Sequence, residues 1–326
     1  MKPGGKSCGR MEPGASLVII NYNGRAFLDE LLESVGRQTL SPLETIVVDN
    51  SSSDGSPQYL VNNFPWVRVL AQQSNLGFSR AGNLGAAAAR GELVAFLNTD
   101  IRLEPEWLAE LVGGVRSASD IAAVASKLRL HGRPDTLNGV GGCMNYLGYA
   151  WDRGMFERDA GQYDRPEEVL FASAGAALFR RDVFLEAGGF DERFFMYHED
   201  VDVCWRLWLF GLRVVTTPRA VAYHHFSGST RQNQSMVWRE LIGERNNIRS
   251  LIKNYQLSNL RRALVGLCLL RLPRERKRGQ MANLLWNIRR LPDTLRHRRV
   301  VQKRRRRSDA ELKRLIYQEK SVPVSL

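Results

Sequence analysis

With 326 residues, 44% of them hydrophobic, the chain can bury one large core, or one core with an appended segment. Its net charge of +13 is uneven: from Arg245 onward 23 Lys and Arg face 5 Asp and Glu, whereas the preceding 244 residues hold 24 against 29. Cys8, Cys143, Cys204 and Cys268 show no paired spacing, which argues against a disulfide framework or cysteine zinc site and for a reducing compartment.

Residues 1–14 read as a flexible N-terminus without the apolar core of a secretory signal. Ser16 to Gly24 is a buried strand that ends in Asn21-Tyr22-Asn23-Gly24, and Phe27, Leu28, Leu31, Leu32 and Val35 follow at helical spacing. Leu43 to Asn50 repeats the plan, with Asp49 at the strand end and a turn-rich Ser51 to Ser56 behind it. In that turn Asp54 is as well placed to cap the next helix as to bind a ligand. A third strand spans Val67 to Ala71, and a small-residue helix from Arg80 to Arg90 is shaped to lie close to the sheet. The fourth strand, Leu93 to Leu97, stops at Asn98-Thr99-Asp100. Ligands of open α/β sheets collect at such carboxyl ends, and a carboxylate there suits a divalent metal that also touches a phosphate. The plainer account is that Asn98 and Asp100 turn the chain toward a helix near Glu104-Pro105. The alternation predicts a doubly wound, mostly parallel α/β sheet.

From His131 to Glu168 the pattern loosens into Gly, Asn and aromatic residues, as in loops that cover binding sites. A strand from Phe171 to Arg181 comes next, then the acidic run His198-Glu199-Asp200-Val201-Asp202 at a helix start, then Tyr223-His224-His225. No GxGxxG follows the first strand and no GxxxxGK[ST] occurs, so a nucleotide site here relies on strand-end carboxylates.

VIINYNG, VVDNSSSDGS, NLGFSRAGN, FLNTD, SAGAALFRRDVFLEAGGFDERFFMYHEDVDVCWRL and YHHFSGST stand in that order between about residues 15 and 256. Together they resemble an inverting family 2 glycosyltransferase of the GT-A fold, and most of all the rhamnosyltransferase-like members that build cell-surface polysaccharides. The resemblance implies a metal-dependent hexosyltransferase. It would use Mg²⁺ or Mn²⁺, a nucleotide-diphosphate sugar such as a rhamnose donor, and a lipid-linked or polysaccharide acceptor. It puts Asp200 in the role of catalytic base with Glu199 in support, and Asn21, Asn23, Asp49, Asn83, Asn98 and Asp100 around the donor. Asp100 becomes the metal ligand, completed by His224 or its neighbour His225; Asn98 stands where the family's first metal-site aspartate would be. The like charges of Glu199 and Asp202 are expected to raise Asp200.

Residues 15–235 thus form the expected GT-A catalytic domain and residues 236–326 a helical, basic extension. Met236 to Tyr255 alternates apolar and basic residues in the manner of an interfacial helix, and Arg271 to Arg278 and Lys303 to Arg307 are polybasic. The longest apolar run, Ala263 to Leu272, is about half of the ~20 residues of a membrane span and contains Arg271. The expected location is cytoplasmic, held peripherally on the anionic inner face of the cell membrane. Two alternatives stand beside this reading: a sugar- or nucleotide-binding protein without turnover, and nucleic-acid binding by the tail. The second lacks an aromatic stacking platform.

Overall fold

The structure, a computed structural model, describes residues 12–226, 236–269 and 274–317. Its first half alternates β1 (Glu12–Asn21), α1 (Leu28–Gly36), β2 (Glu44–Asp49), α2 (Ser56–Asn63), β3 (Val67–Ala71), α3 (Gly77–Ala88) and β4 (Gly91–Asn98). Then come β5 (Ile101–Leu103), α4 (Trp107–Arg116), β6 (Ile121–Leu130), β7 (Arg133–Val140), β8 (Gly142–Asn145), β9 (Ala150–Asp152), β10 (Ala176–Arg180) and α5 (Arg181–Glu186). The remainder is α6 (Glu199–Leu209), β11 (Arg213–His224), α7 (Met236–Asn254), α8 (Leu257–Leu269), α9 (Arg274–Arg289), α10 (Leu291–Arg304) and β12 (Ile316–Tyr317).

The main sheet runs β3-β2-β1-β4-β10-β6-β11-β5, with β7 on β6. Its first four strands are parallel; β10 enters antiparallel between β4 and β6, and β11 runs parallel to β6. Helices cover both faces. Leu28, Leu31, Trp107 and Leu111 pack on one side, and Ala81, Phe184, Trp205 and Trp208 on the other. The small-residue helix does lie close: a Cβ at Gly85 would fall 2.2 Å from Val18 Cγ1.

Two segments differ from the sequence reading. Residues 131–168 hold three strands rather than loop alone: β7 folds back on β6, and β8 and β9 build a three-stranded sheet with β12. Glycines hide the period there, because backbone and rings meet closely. A Cβ at Gly142 would sit 2.0 Å from the Phe171 ring. Phe171 itself bridges to Gly142, so the strand expected from Phe171 begins only at Ala176.

The basic extension is the larger difference. Residues 236–269 and 274–317 pack against the sheet-bearing part of the chain: Leu251, Tyr255, Val301, Leu312 and Ile316 share a core cluster with Trp205 and Trp208. Arg249 and Lys253, read as the wet face of an interfacial helix, are fully buried. The run Lys303 to Arg307 is partly spent on the end of α6: Arg306 N donates to Leu209 O at 2.7 Å, and the Arg307 guanidinium to Leu212 O and Gly211 O at 3.0 and 2.9 Å. Cations fit a helix C-terminus, whose carbonyls lack intrahelical donors. Of the expected N-terminal segment, residues 1–11 lie outside the described residues, and β1 begins at Glu12. Among the described residues no helix is long and apolar enough to cross a membrane.

Candidate functional site

Asn21, Asp49 and Asn98 end the adjacent parallel strands β1, β2 and β4, so the sheet itself brings them together. Asn21 Nδ2 donates to Asp49 Oδ1 at 2.6 Å, and Ser52 donates to the same carboxylate through Oγ at 2.6 Å and N at 3.0 Å. Asn23, at φ 52°, accepts from Ser53 N at 2.8 Å. These bonds fix the two βα turns against each other. Asp54 accepts from Arg25 N at 2.8 Å and Ser56 N at 3.0 Å, which ties the two turns together, while Gly55 stands at the N-cap of α2 without a side-chain cap bond. Asn83 stands apart: its amide is clamped on Phe190, accepting from N at 2.8 Å and donating to O at 2.9 Å, so it braces α3 against the loop ahead of α6.

The two histidines part company. His224 Nε2 lies 3.3 Å from the buried Asp100 Oδ1. His225 turns the other way, with Nε2 2.7 Å from Glu30 Oε2 and its ring stacked 3.7 Å from His131, whose own Nε2 meets Glu30 Oε1 at 2.9 Å. Arg102 Nε stands 3.7 Å from that same Glu30 oxygen, so Glu30 already serves two imidazoles and a guanidinium. The Asp100–His224 pair has the donor set a divalent metal takes. Ligand bonds of ~2.0–2.2 Å hold two donor atoms about 3 Å apart. Asn138 Oδ1 faces His224 Nδ1, which fixes the ring and leaves Nε2 toward Asp100.

A cavity of about 790 Å³ is lined by Asn98, Asp152, Ser173, Gly175, Glu199, Asp200 and, from α7, Arg239, Gly243 and Asn247. A roomier one of about 950 Å³, between α8 and the segment around Asp309, holds no acid pair, so the first is the candidate site. Glu199 is buried, and burial together with the adjacent Asp200 charge pushes its carboxyl well above the usual range. Burial also raises Asp200, against the pull of hydrogen bonds from Ala174 N at 3.2 Å and Val201 N at 2.8 Å. Asp152, on β9, is pushed up to about 7 by burial and then by Asp200. Asp202 is no partner in this repulsion. It points inward to Arg206 and Lys253, at 2.9 and 2.8 Å, and their charges hold it down to about 2.

The backbone before the acidic pair is strained: Phe195, Tyr197 and His198 all have φ between 67° and 73°. Such conformations persist only where the surroundings impose them. Here Asn246 of α7 imposes them, donating from Nδ2 to Phe194 O, Met196 O and Tyr197 O at 3.1, 3.0 and 2.8 Å. Beneath lies a buried ion group in which Lys253 Nζ bonds Asp191 and Asp202, and Arg249 bonds Asp191. Asp152, Asn138 and Asn246 escaped the sequence reading. Single polar residues in irregular or distant segments carry no spacing signal; only the acidic run marked the place they converge on.

Residues 16–188 match the family model described as Glycosyl transferase family 2. The N-acetylglucosaminyl-diphospho-decaprenol L-rhamnosyltransferase of Mycobacterium tuberculosis is 30% identical over 239 residues, covering 66% of this chain and 76% of that one. An O-antigen biosynthesis protein of Myxococcus xanthus is also 30% identical, over 68% of this chain but 18% of its own length. GalNAc-T7, solved with UDP, GalNAc and Mn²⁺, superposes with a TM-score of 0.62 at 17% identity, over 83% of this chain and 54% of that one. S. aureus TarS 1-349 with UDP-GlcNAc gives 0.56 at 16%, over 83% and 79%. Those likenesses, both to GT-A glycosyltransferases, agree with the parallel β3-β2-β1-β4 half of the sheet. With 173 of its residues under the family model and the acidic pair seated in the cavity of that fold, the chain belongs to glycosyl transferase family 2.

Proposed function

We propose that this chain is an inverting, metal-dependent glycosyltransferase that moves a hexose, rhamnose by analogy with its mycobacterial relative, from a nucleoside-diphosphate donor to a diphospho-lipid acceptor in cell-surface glycan assembly. The observation that carries the reading is the raised Glu199–Asp200 pair in a cavity whose opposite wall is the β4 strand end. The strand-end cluster of Asn21, Asn23 and Asp49 receives the nucleoside, and Asp100 and His224 would hold Mg²⁺ or Mn²⁺. The bound cation would neutralise the departing diphosphate. Asp200 accepts the proton of the acceptor hydroxyl as that oxygen attacks the sugar carbon from the face opposite the leaving group. Burial favours this, because a raised carboxylate is a stronger base. Glu199, raised further by burial and by the Asp200 charge, holds its proton more tightly and so favours the charge on Asp200. Asp152, near neutrality in its titration, is suited to hydrogen-bond a hydroxyl of either sugar.

The test is transfer by the full chain from a panel of nucleoside-diphosphate sugars to a short-chain N-acetylglucosaminyl-diphospho-lipid, with Asp200→Asn beside it. The expected result is product of inverted configuration, with turnover lowered by about 10² to 10⁴ in Asp200→Asn and donor affinity kept. Donor binding by the wild type without transfer to any acceptor would instead favour a binding-only protein. Asn98 in place of a second metal-site carboxylate speaks for that reading.

A further inference from the structure

Helix α9 faces the wrong way for a helix of a water-soluble surface. In its second half Met281, Leu284, Leu285 and Ile288 recur at i, i+3, i+4 and i+7, yet they are 57%, 46%, 46% and 55% exposed. Among its described side chains the buried ones are the polar Asn283 and Asn287, at 8% and 4%. Asn283 Nδ2 donates to Leu241 O at 2.8 Å and Asn287 Nδ2 to Arg245 O at 3.0 Å, so the helix is pinned to α7 by its amides. Trp286 is held between Arg245 and Arg290, each 4.4 Å from its ring. Past Arg290 the exposed apolar residues continue with Leu291 and Leu295 on α10.

An apolar stripe turned to water marks a docking surface. Its setting identifies the occupant: residues 274–304 carry eleven Lys and Arg against two acidic residues, with Arg289, Arg296, Arg299 and Lys303 exposed around the stripe. Basic residues beside Leu, Ile and Trp are the composition of a helix lying in the headgroup zone of an anionic bilayer. The position also fits the chemistry, since α7 separates the two features by a single helix. One side of α7 lines the catalytic cavity with Arg239, Gly243 and Asn247, while its Leu241 and Arg245 carbonyls hold α9.

Resting on the proposed lipid-linked acceptor, we infer that the Met281–Leu284–Leu285–Ile288 face of α9 docks on an anionic lipid surface and sets the cavity mouth beside the acceptor's headgroup. The face is built in advance, because the buried amides orient the helix without lipid.

Flotation of the full chain with acceptor-free vesicles tests this, comparing phosphatidylcholine alone with an about equal mixture of phosphatidylcholine and phosphatidylglycerol. The wild type should float with the anionic vesicles and be released by salt, and Leu284→Asp/Ile288→Asp should lower the bound fraction about tenfold or more. That variant should transfer sugar to a water-soluble acceptor analogue as the wild type does, since neither residue lines the cavity, but lose transfer to an acceptor embedded in vesicles. Equal flotation of both proteins overturns the proposal. So does a lipid-free dimer that the double variant splits, which would make the stripe a contact between two copies. Because flotation needs neither donor nor acceptor, failed transfer with normal flotation would overturn the enzymatic reading alone.

Discussion

Asp100 and His224 meet across 3.3 Å while Asn138 holds the far side of the imidazole. His224→Ala should therefore weaken Mn²⁺ binding, measured by calorimetry with nucleoside diphosphate present, and Asn138→Ala should weaken it by about 10- to 100-fold, the usual effect of losing a supporting partner. His225→Ala should leave that titration unchanged and cost at most about 1 kcal/mol of stability, because its bond to Glu30 is part-exposed. Activity should also show an acid limb. The base works ionised, so turnover falls as pH drops through the apparent value of the Glu199–Asp200 pair, which burial puts above an ordinary aspartate's. A limb at the ordinary aspartate position would move the base to a solvated carboxylate. At this scale the strand-end residues were legible from sequence, because an apolar run that stops at Asp49 or Asp100 is itself a signal. The choice between His224 and His225 was not, since a strand points adjacent side chains to opposite faces and only the pairing decides which.

Elements that position the base come from far apart in the chain. Asn246 of α7 holds the left-handed residues ahead of Glu199, so Asn246→Ala takes this donor from the Met196 and Tyr197 carbonyls and leaves Phe194 O with Arg245 Nη2. Turnover should drop while the affinity for nucleoside diphosphate, proposed to bind at the β1 and β2 ends, stays; equal losses in both would show that the loop serves donor binding. Lys253→Met leaves Asp191 and Asp202 short of a buried cation and should destabilise the fold by about 3–5 kcal/mol, read from denaturant unfolding. Both carboxyls are held below their ordinary range, so they bind protons more weakly folded than unfolded. Their contribution is present above the ordinary aspartate range and is lost as pH falls toward about 2. The variant's deficit should shrink in that window. Periodicity gave α7 its bounds but not its surroundings: alternating apolar and basic residues look the same whether the cations meet lipid, water or buried aspartates.

Over the whole molecule, charge bookkeeping was the weakest guide. A surplus of cations from Arg245 onward read as a basic extension for an anionic membrane surface, yet Arg249, Lys253, Arg305 and Arg307 are among the cations that anchor the segment. Removing residues 257–326 takes away Asp293 and Thr294, which bond Arg249, and β12, which pairs with β8. The truncated chain should lose its cooperative melt by circular dichroism rather than keep nucleotide binding, and a normal melt would make the extension dispensable to the fold. The buried ion group also imposes an order on biosynthesis. Asp191 leaves the ribosome 62 residues ahead of its partner Lys253, a lag of roughly 3–12 s at ~5–20 residues per second. For that interval the parallel half can close around β1 to β4, while Asp202 of α6 has Arg206 but not yet Lys253, and Asp191 has neither Arg249 nor Lys253. The strand ends of β1, β2 and β4 can thus come together first, and the proposed base is set in place last, when the extension that the fold needs has closed over α6.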